Sequence, residues 1–403
     1  MPCWKKRNMS ANRKIVYFLS HPIQYFSPML KALAEVTDLD VYYYSDASIK
    51  GAIDKGFGRS VTWDTPLLDG YRSAFLKNHR GDHGMNNKFW DVWNPGVWKT
   101  VRASGAEVII LNGWTYSSSW LVLVAAKVFG KEVWLRAENP LNQELRKSRG
   151  LIWIKTILLK YFLFRWFVDK CLYIGTESKS FFSYYGVPGG RMVYTPYAVD
   201  NAYFRSAWNA NKDRLPQIKA SLGLPAGKKI LLFAGKYIPK KRPLDLLEVV
   251  ASLDRENYFL VMVGEGELRP QMERFIRENN MDNVLLTGFI NQTEMPLYYS
   301  VADVFVMCSG MGETWGLSVN EAMNFSKPVI VSDTCGCSTD LVRHGINGFV
   351  FPEGDLPGLK GSLLKMMESD EDRARMGEAS REMIDAFSIG AIVENIQRAI
   401  YAG

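Results

Sequence analysis

The chain offers little of what holds a small secreted or metal-bound protein together. Its five cysteines, Cys3, Cys171, Cys308, Cys335 and Cys337, are an odd number scattered over 403 residues, which excludes a disulfide framework and fits a reducing cytoplasm. No second cysteine or histidine pair at ligand spacing accompanies Cys335 and Cys337, so a structural metal site is not expected. The opening MPCWKKRNMSANRK is basic but lacks the long apolar core and small-residue cleavage site of a signal peptide. It reads as a loose tail, with Met9 an alternative start.

Acidic residues are scarce in the first half. Residues 1–195 hold 27 Lys or Arg against 15 Asp or Glu, a balance of +12, while the remainder holds 22 against 27, a balance of −5. Ten of the twelve tryptophans also lie in that first portion, and tryptophan with basic residues is the composition of surfaces that touch anionic lipid headgroups. Nucleic acid is the competing partner for a basic domain, and the absence of any nucleic-acid-binding motif argues against it.

An uninterrupted membrane-length apolar run is missing too. The most apolar stretch, LIWIKTILLKYFLFRWFV from Leu151 to Val168, is broken by Lys155, Lys160 and Arg165. At about 100° per residue these bases fall on different sides of an α-helix, so neither a span nor a clean interfacial face is expected. The first reading is a long, partly buried helix with snorkelling bases. Shallow membrane contact, helped by Arg146, Lys147 and Arg149, is the second.

The length suits two domains of nearly equal size. Apolar runs at 14–19, 39–44, 107–111, 131–136 and 171–175 read as buried strands of one doubly wound sheet, and runs at 228–234, 258–263, 283–287, 303–307 and 328–332 as a second. The boundary is placed between 195 and 196, and residues 196–227, with prolines at 196, 216 and 225, read as a connection plus a short helix.

The most informative segment is ETWGLSVNE, in which Glu313 and Glu321 bracket a glycine-containing turn and the start of a short helix. A helix beginning near Gly316 points its free amides and positive dipole end forward, where phosphate binds. Glu313 then accepts hydrogen bonds from sugar hydroxyls and Glu321 from a ribose diol, an arrangement suited to a nucleotide sugar. The plainer alternative is a capping Glu313 and a solvated Glu321. The flanking strands favour the first, because they put the loop at the carboxyl end of a parallel sheet.

The stretch GETWGLSVNEAMNFSKPVIVSD, followed by CGCSTDLVRHGINGFVF, resembles the signature of retaining glycosyltransferase family 4. The resemblance extends through FAGKYIPKKRPLDLL, VMVGEGELRP, VLLTGFI and TPYAVDNAYF, closely over the second half and in outline over the first. It implies the GT-B fold, two Rossmann-like α/β domains facing across a cleft, with residues 386–403 forming a helix that crosses back from the donor domain (196–385) to the acceptor domain (1–195).

What the resemblance implies for the site is specific. After the first strand of the second domain, at Gly235, the family's arginine and lysine map onto Lys236 and Lys241; lysine in place of arginine keeps the charge and loses the bidentate fork. Lys240 and Arg242 are adjacent substitutes. Trp315, Gly316 and Leu317 would meet sugar and phosphate through their backbone, and the base would lie against Gly288, Phe289 and Ile290. Gly264-Glu265-Gly266 lacks the third glycine of a dinucleotide fingerprint and reads as a turn.

In the first domain the family's donor-touching histidine is replaced by WLRAENP, where Glu138 is preferred over Arg136 for its role and a buried salt bridge between the two is the alternative. His21 and Gln24 in HPIQYFSP are candidates for acceptor or phosphate, against a helix-capping role for that loop. Asn112 and Trp114 are weaker acceptor candidates by the sheet-edge rule. The aromatic tract from Trp63 to Trp98, with His79 and His83, is where acceptor recognition is expected, unless it is an irregular subdomain core.

Asp38-Leu39-Asp40 and Asp370-Glu371-Asp372 spell an Asp-x-Asp motif, but a strand entry and a helix start explain them. No metal and no cofactor is therefore expected, with the nucleotide sugar as substrate. The implied function is transfer of a sugar, with retention, from a UDP- or GDP-linked donor to a glycan or lipid-linked acceptor. Surface polysaccharide or glycolipid assembly at the inner face of the cytoplasmic membrane would be the setting. A nucleotide-sugar epimerase of the same fold and a catalytically silent glycan- or lipid-binding subunit are the rivals.

Overall fold

The computed structural model describes residues 13–51, 53–54, 59–60, 62–81 and 88–401. Cys3, Met9 and His83 lie outside the described residues.

Two parallel sheets organise the chain. The first has seven strands in the spatial order Arg72–Phe75, Asp38–Tyr43, Lys14–Leu19, Val108–Asn112, Glu132–Ala137, Lys170–Tyr173 and Met192–Tyr194. The second has six, in the order Val284–Gly288, Tyr258–Val263, Lys229–Ala234, Val304–Met307, Val329–Ser332 and Gly348–Phe351. In each, the first strand of the domain is central: Ile15 pairs with Leu39 on one side and Val108 on the other, and Leu231 with Leu260 and Val304. Helices cover both faces, so Ile15–Leu19 and Ile230–Phe233 are buried on both sides, which is why these strands are continuous apolar runs rather than alternating ones.

Three strands of the two parallel sheets were not expected from the sequence: Arg72–Phe75, Met192–Tyr194 and Gly348–Phe351. All three are sheet edges. An edge strand pairs on one side only and needs no long apolar run; Arg72, Ser73 and Ala74 are exposed.

The segment 196–227, expected to be a connection plus a short helix, carries two α-helices and packs onto the second domain. It forms the helices Asn201–Asn211 and Leu215–Ser221, whose Phe204 and Ile218 are buried in the second domain's core with Leu232, Phe305 and Phe325. The chain crosses between domains twice at one place, where Val199 bridges Ser388 and the Asn201 side-chain amide donates to the carbonyls of Ile384 (3.2 Å) and Phe387 (3.1 Å). Beyond it, the helix Ile389–Tyr401 buries Ile392, Val393, Ile396 and Ile400 against Ile15, Leu30 and Leu33 of the first domain.

Residues 149–167 form the long, partly buried helix expected, but correct the expectation that it has no clean face. They form an α-helix, Arg149–Thr156, that continues without a break as a π-helix, Ile157–Phe167. Exposed residues recur in pairs four apart, at 153/154, 157/158, 161/162 and 165/166, while Leu159, Leu163 and Phe164 pack into the core. A repeat of four slips steadily round a helix of 3.6 residues per turn. The wider i→i+5 winding of the π segment counters that slip, so one continuous face is exposed. Lys155, which seemed to break the face, instead turns inward to Glu144 at 2.6 Å.

The carboxyl ends of the two sheets face each other closely. Gly175 needs its missing side chain here: a Cβ would lie 2.5 Å from Trp315 Cζ3 and 2.6 Å from Asp340 Oδ2. Asp340 in turn accepts from the Thr176 amide at 2.9 Å.

Candidate functional site

The acidic loop is held by packing before any ligand arrives. From the strand Val304–Met307 the chain runs through Glu313 and Trp315 into the helix Leu317–Asn324. Gly316 sits at φ +106°, and a Cβ there would meet Met307 Sδ at 2.7 Å, so conformation and space both demand glycine. Trp315 is buried, donating its indole N–H to Asn320 Oδ1 at 2.8 Å, which ties the turn to the helix it starts. The amide of Gln143, from the first domain, donates to the carbonyls of Glu313 (2.8 Å) and Thr334 (2.9 Å) and accepts from the Gly312 amide (2.9 Å). Nothing local in the sequence marks Gln143; only the closed fold brings it there.

In front of this loop lies an interdomain cavity of about 540 Å³, a size that suits a drug-sized ligand. Its second-domain wall includes Gly235, Lys236, Lys240, Lys241, Phe289, Ile290, Glu313, Trp315, Gly316, Leu317 and Glu321. His21, Gln24, Tyr25 and Trp63 close it from the first domain. The helix Leu317–Asn324 thus opens into the cavity with its amino end.

Lys241 ends the short 3₁₀ turn Pro239–Lys241 and reaches Glu313 Oε2 at 2.5 Å. Burial alone would raise the Glu313 pKa, but Lys241 and then Lys240 hold it below the usual range, so the carboxylate is charged inside the cavity. Arg242 does not join them. At φ +49° it turns its guanidinium to Asp245 (2.7 Å) and toward Glu353 (3.8 Å), which corrects its reading as a substitute cation.

Glu321 is not the solvated helix residue of the plainer alternative. It is 4% exposed; its Oε2 accepts from the Tyr299 hydroxyl at 2.6 Å, and Tyr25 and Gln292 also direct donors at the carboxylate. Burial pushes its pKa up to about 7, against the pull of Tyr299, Tyr25 and Gln292. Glu321 lines the cavity, where its carboxylate can accept from a hydroxyl.

Phe289 and Ile290 line the cavity, while Gly288 stands behind them and takes the Gly264 amide at 3.0 Å. Gly264 and Gly266 form the expected tight turn: a Cβ on either would strike the backbone of Gly235 or Tyr237 at 1.9 or 2.5 Å. Over Phe289 lies Trp63, ring centroids 5.9 Å apart in an edge contact. The loop carrying it is pinned across the cleft, the Asn291 side chain donating to the Thr62 carbonyl at 2.9 Å and the Thr293 amide to Asp64 at 3.1 Å. Gln24 donates to Gln292 at 2.9 Å on the same side.

The remaining first-domain candidates lie off the cavity. Arg136 is buried between the rings of Phe26 and Tyr197, at 4.9 and 4.7 Å, and pairs with Glu138 at 2.8 Å while touching Asn112 at 3.3 Å. The salt-bridge alternative for this pair is the one that forms. Glu138 extends only as far as the Thr314 hydroxyl, at 3.5 Å. Trp114 stacks on Phe181 at 6.1 Å inside the first core, which takes it out of the cleft. The Asp-x-Asp carboxylates are engaged elsewhere, Asp40 with Lys14 and Arg72, and Asp370 with Lys229 and Arg373.

Comparison with known proteins agrees with this geometry. Residues 216–383 match the family described as glycosyl transferases group 1. The spore coat protein SA of Bacillus subtilis is 27% identical over 51% of this chain and 57% of its own length, and an uncharacterized glycosyltransferase of Methanocaldococcus jannaschii is 26% identical over 41% and 46%. The chain thus spans about half the length of the curated relatives it matches. Over nearly the whole chain the fold matches Anabaena HepE, solved with UDP and glucose, at a TM-score of 0.73 and 17% identity, covering 97% of this chain and 100% of that one. Sucrose-phosphate synthase of Thermosynechococcus elongatus gives a TM-score of 0.70 at 19% identity, covering 97% and 99%. The chain therefore has the two-domain fold of GT-B glycosyltransferases, and its second domain matches the group 1 family over residues 216–383.

Proposed function

We propose that this protein is a metal-independent, retaining glycosyltransferase of family 4 that moves a sugar from a UDP- or GDP-linked donor to a glycan or lipid-linked acceptor. Its setting is surface polysaccharide or glycolipid assembly at the inner face of the cytoplasmic membrane. The observation that carries the reading is the convergence of Glu313, Lys241, Glu321 and the amino end of one helix on a single cavity. Negative charge grows on the diphosphate as the glycosidic bond breaks. Lys241, Lys236 and the free amides of Leu317 and Ser318 face that charge, and fixed donors of this kind neutralise it without reorganising. Glu313 orients the transferred sugar, and Glu321 takes the ribose diol. The leaving phosphate assists deprotonation of the acceptor hydroxyl on the same face, so no protein base is assigned. Structures related in fold were solved with UDP and with UDP-glucose, which supports the donor class.

Incubation with labelled UDP- and GDP-sugars, with and without a lipid extract, tests the reading. Label entering the lipid or glycan fraction is expected; release of an isomerised sugar or nucleotide without any acceptor would instead identify an epimerase.

Glu321 gives this site a pH dependence. Its native pKa of about 7 lies above the ordinary 4.5, so the folded protein holds the proton more tightly. The resulting stabilisation is present in full below about 4.5 and is lost as pH rises through 7. Donor binding runs the other way, because two ribose hydroxyls need an ionised acceptor. Nucleotide-sugar affinity is expected to tighten about tenfold between pH 6 and pH 8, measured by calorimetry. A Glu321→Gln variant that kept the same pH profile would contradict the assignment.

A further inference from the structure

The exposed face of the helix 149–167 is unlike the rest of the surface. Trp153 (66% exposed), Ile154, Ile157, Leu158, Tyr161 and Trp166 (63%) form one apolar stripe, far more than scattered surface hydrophobics. From Leu145 to Val168 the sequence has six bases and no acid. Lys147 and Lys155 pair with Glu144, and Arg146 with Glu353. Arg149, Lys160 and Arg165 have no carboxylate partner among the described residues. Lys160 and Arg165 border a groove of about 450 Å³ that also contains Arg191 and Trp166. Among the described residues no helix is long and apolar enough to cross a membrane.

We propose that this face lies flat in the headgroup layer of an anionic bilayer, its aromatic and aliphatic side chains entering the acyl boundary and Arg149, Lys160 and Arg165 meeting lipid phosphate. Apolar stripe, interfacial tryptophans and unpaired cations are the three features such docking requires, and the positive charge selects an anionic lipid surface over the same basic face of a second copy. The face is tied to the site through Lys155, which pairs with Glu144 beside Gln143. Gln143, which holds the Glu313 loop, lies six residues before Arg149, so a docked helix sets the cleft mouth at a fixed height above the lipid. This deepens the membrane location given under the proposed function, by naming the surface.

The test uses the full chain and vesicles of phosphatidylcholine alone or mixed with an equal amount of phosphatidylglycerol. The wild type is expected to co-sediment with the mixed vesicles and to leave them in high salt. The triple variant Trp153→Ser, Ile157→Ser, Trp166→Ser is expected to lose at least about tenfold in partitioning, and the double variant Lys160→Gln, Arg165→Gln to lose the preference for anionic lipid. Binding of a nucleotide sugar in solution is measured in parallel and should not change, which keeps a failure of the donor site distinguishable from a failure of docking. Equal binding of the wild type to both vesicle types, no binding to either, or a lipid-free dimer abolished by the triple variant would each overturn the proposal.

Discussion

Replacing Lys241 by alanine is expected to lower the turnover of donor sugar by about a hundredfold or more, because one preorganised donor to charge developing in a transition state contributes about 3 kcal/mol. The residue is suited to that task by its position. It sits at the end of a short turn, its ammonium at the floor of the cavity, with Glu313 as its resting partner at 2.5 Å. Truncation has a second consequence. Glu313, 7% exposed, is left as a buried carboxylate with its nearest cation gone, and its pKa should rise toward or above the ordinary range as it takes a proton instead. Steady-state kinetics with saturating donor reads the first effect, and a shifted acid limb of the pH–rate profile reads the second. A rate within a few-fold of wild type would remove Lys241 from the mechanism.

Glu313→Ala is expected to have a comparable effect on transfer without weakening nucleotide affinity. The sugar loses its orienting acceptor, and kcat/KM falls by about a hundredfold. The nucleoside diphosphate, which has no sugar to orient, encounters a Lys241 released from its ion pair. Its affinity should therefore hold or improve. This division between nucleotide sugar and nucleoside diphosphate separates an orienting role from a merely structural one: if Glu313 only supported the fold, both ligands would weaken together. Truncating one member of a buried pair also destabilises the protein, so each comparison is made below the melting temperature of the variant.

How far the fold was legible follows from where each strand lies. Central strands such as Lys14–Leu19 and Lys229–Ala234 are buried on both faces and write themselves as apolar runs, whereas Arg72–Phe75 at an edge carries an exposed arginine and serine and gives no such signal. The acidic loop was legible because everything that shapes it is local: a strand, a glycine that must be at positive φ, a helix. The other side of the cavity was legible only in part, through His21, Gln24 and the tract that begins at Trp63. Trp63, Tyr25 and Gln143 reach the site only because the domains close, and the contacts that place them join residues far apart in sequence, 229 positions for Asp64 and Thr293.

Arg136 and Glu138 show the converse error. Arg136 lies at the end of a strand and Glu138 just beyond it, at the correct sheet end, yet the geometry spends the guanidinium on Phe26, Tyr197 and its own neighbour. The helix 149–167 misled for a third reason, since angular arithmetic for an α-helix does not apply once the winding changes to π.

On the proposed function, the acidic loop and the lysines beside it hold a nucleotide sugar between the domains. Isothermal titration of the full chain with UDP- and GDP-sugars tests it most directly. A single saturable site for one nucleotide class, weakened strongly in Glu321→Ala and in Lys241→Ala, is the expected result. Absence of binding by either class, or binding that ignores both substitutions, would contradict the account.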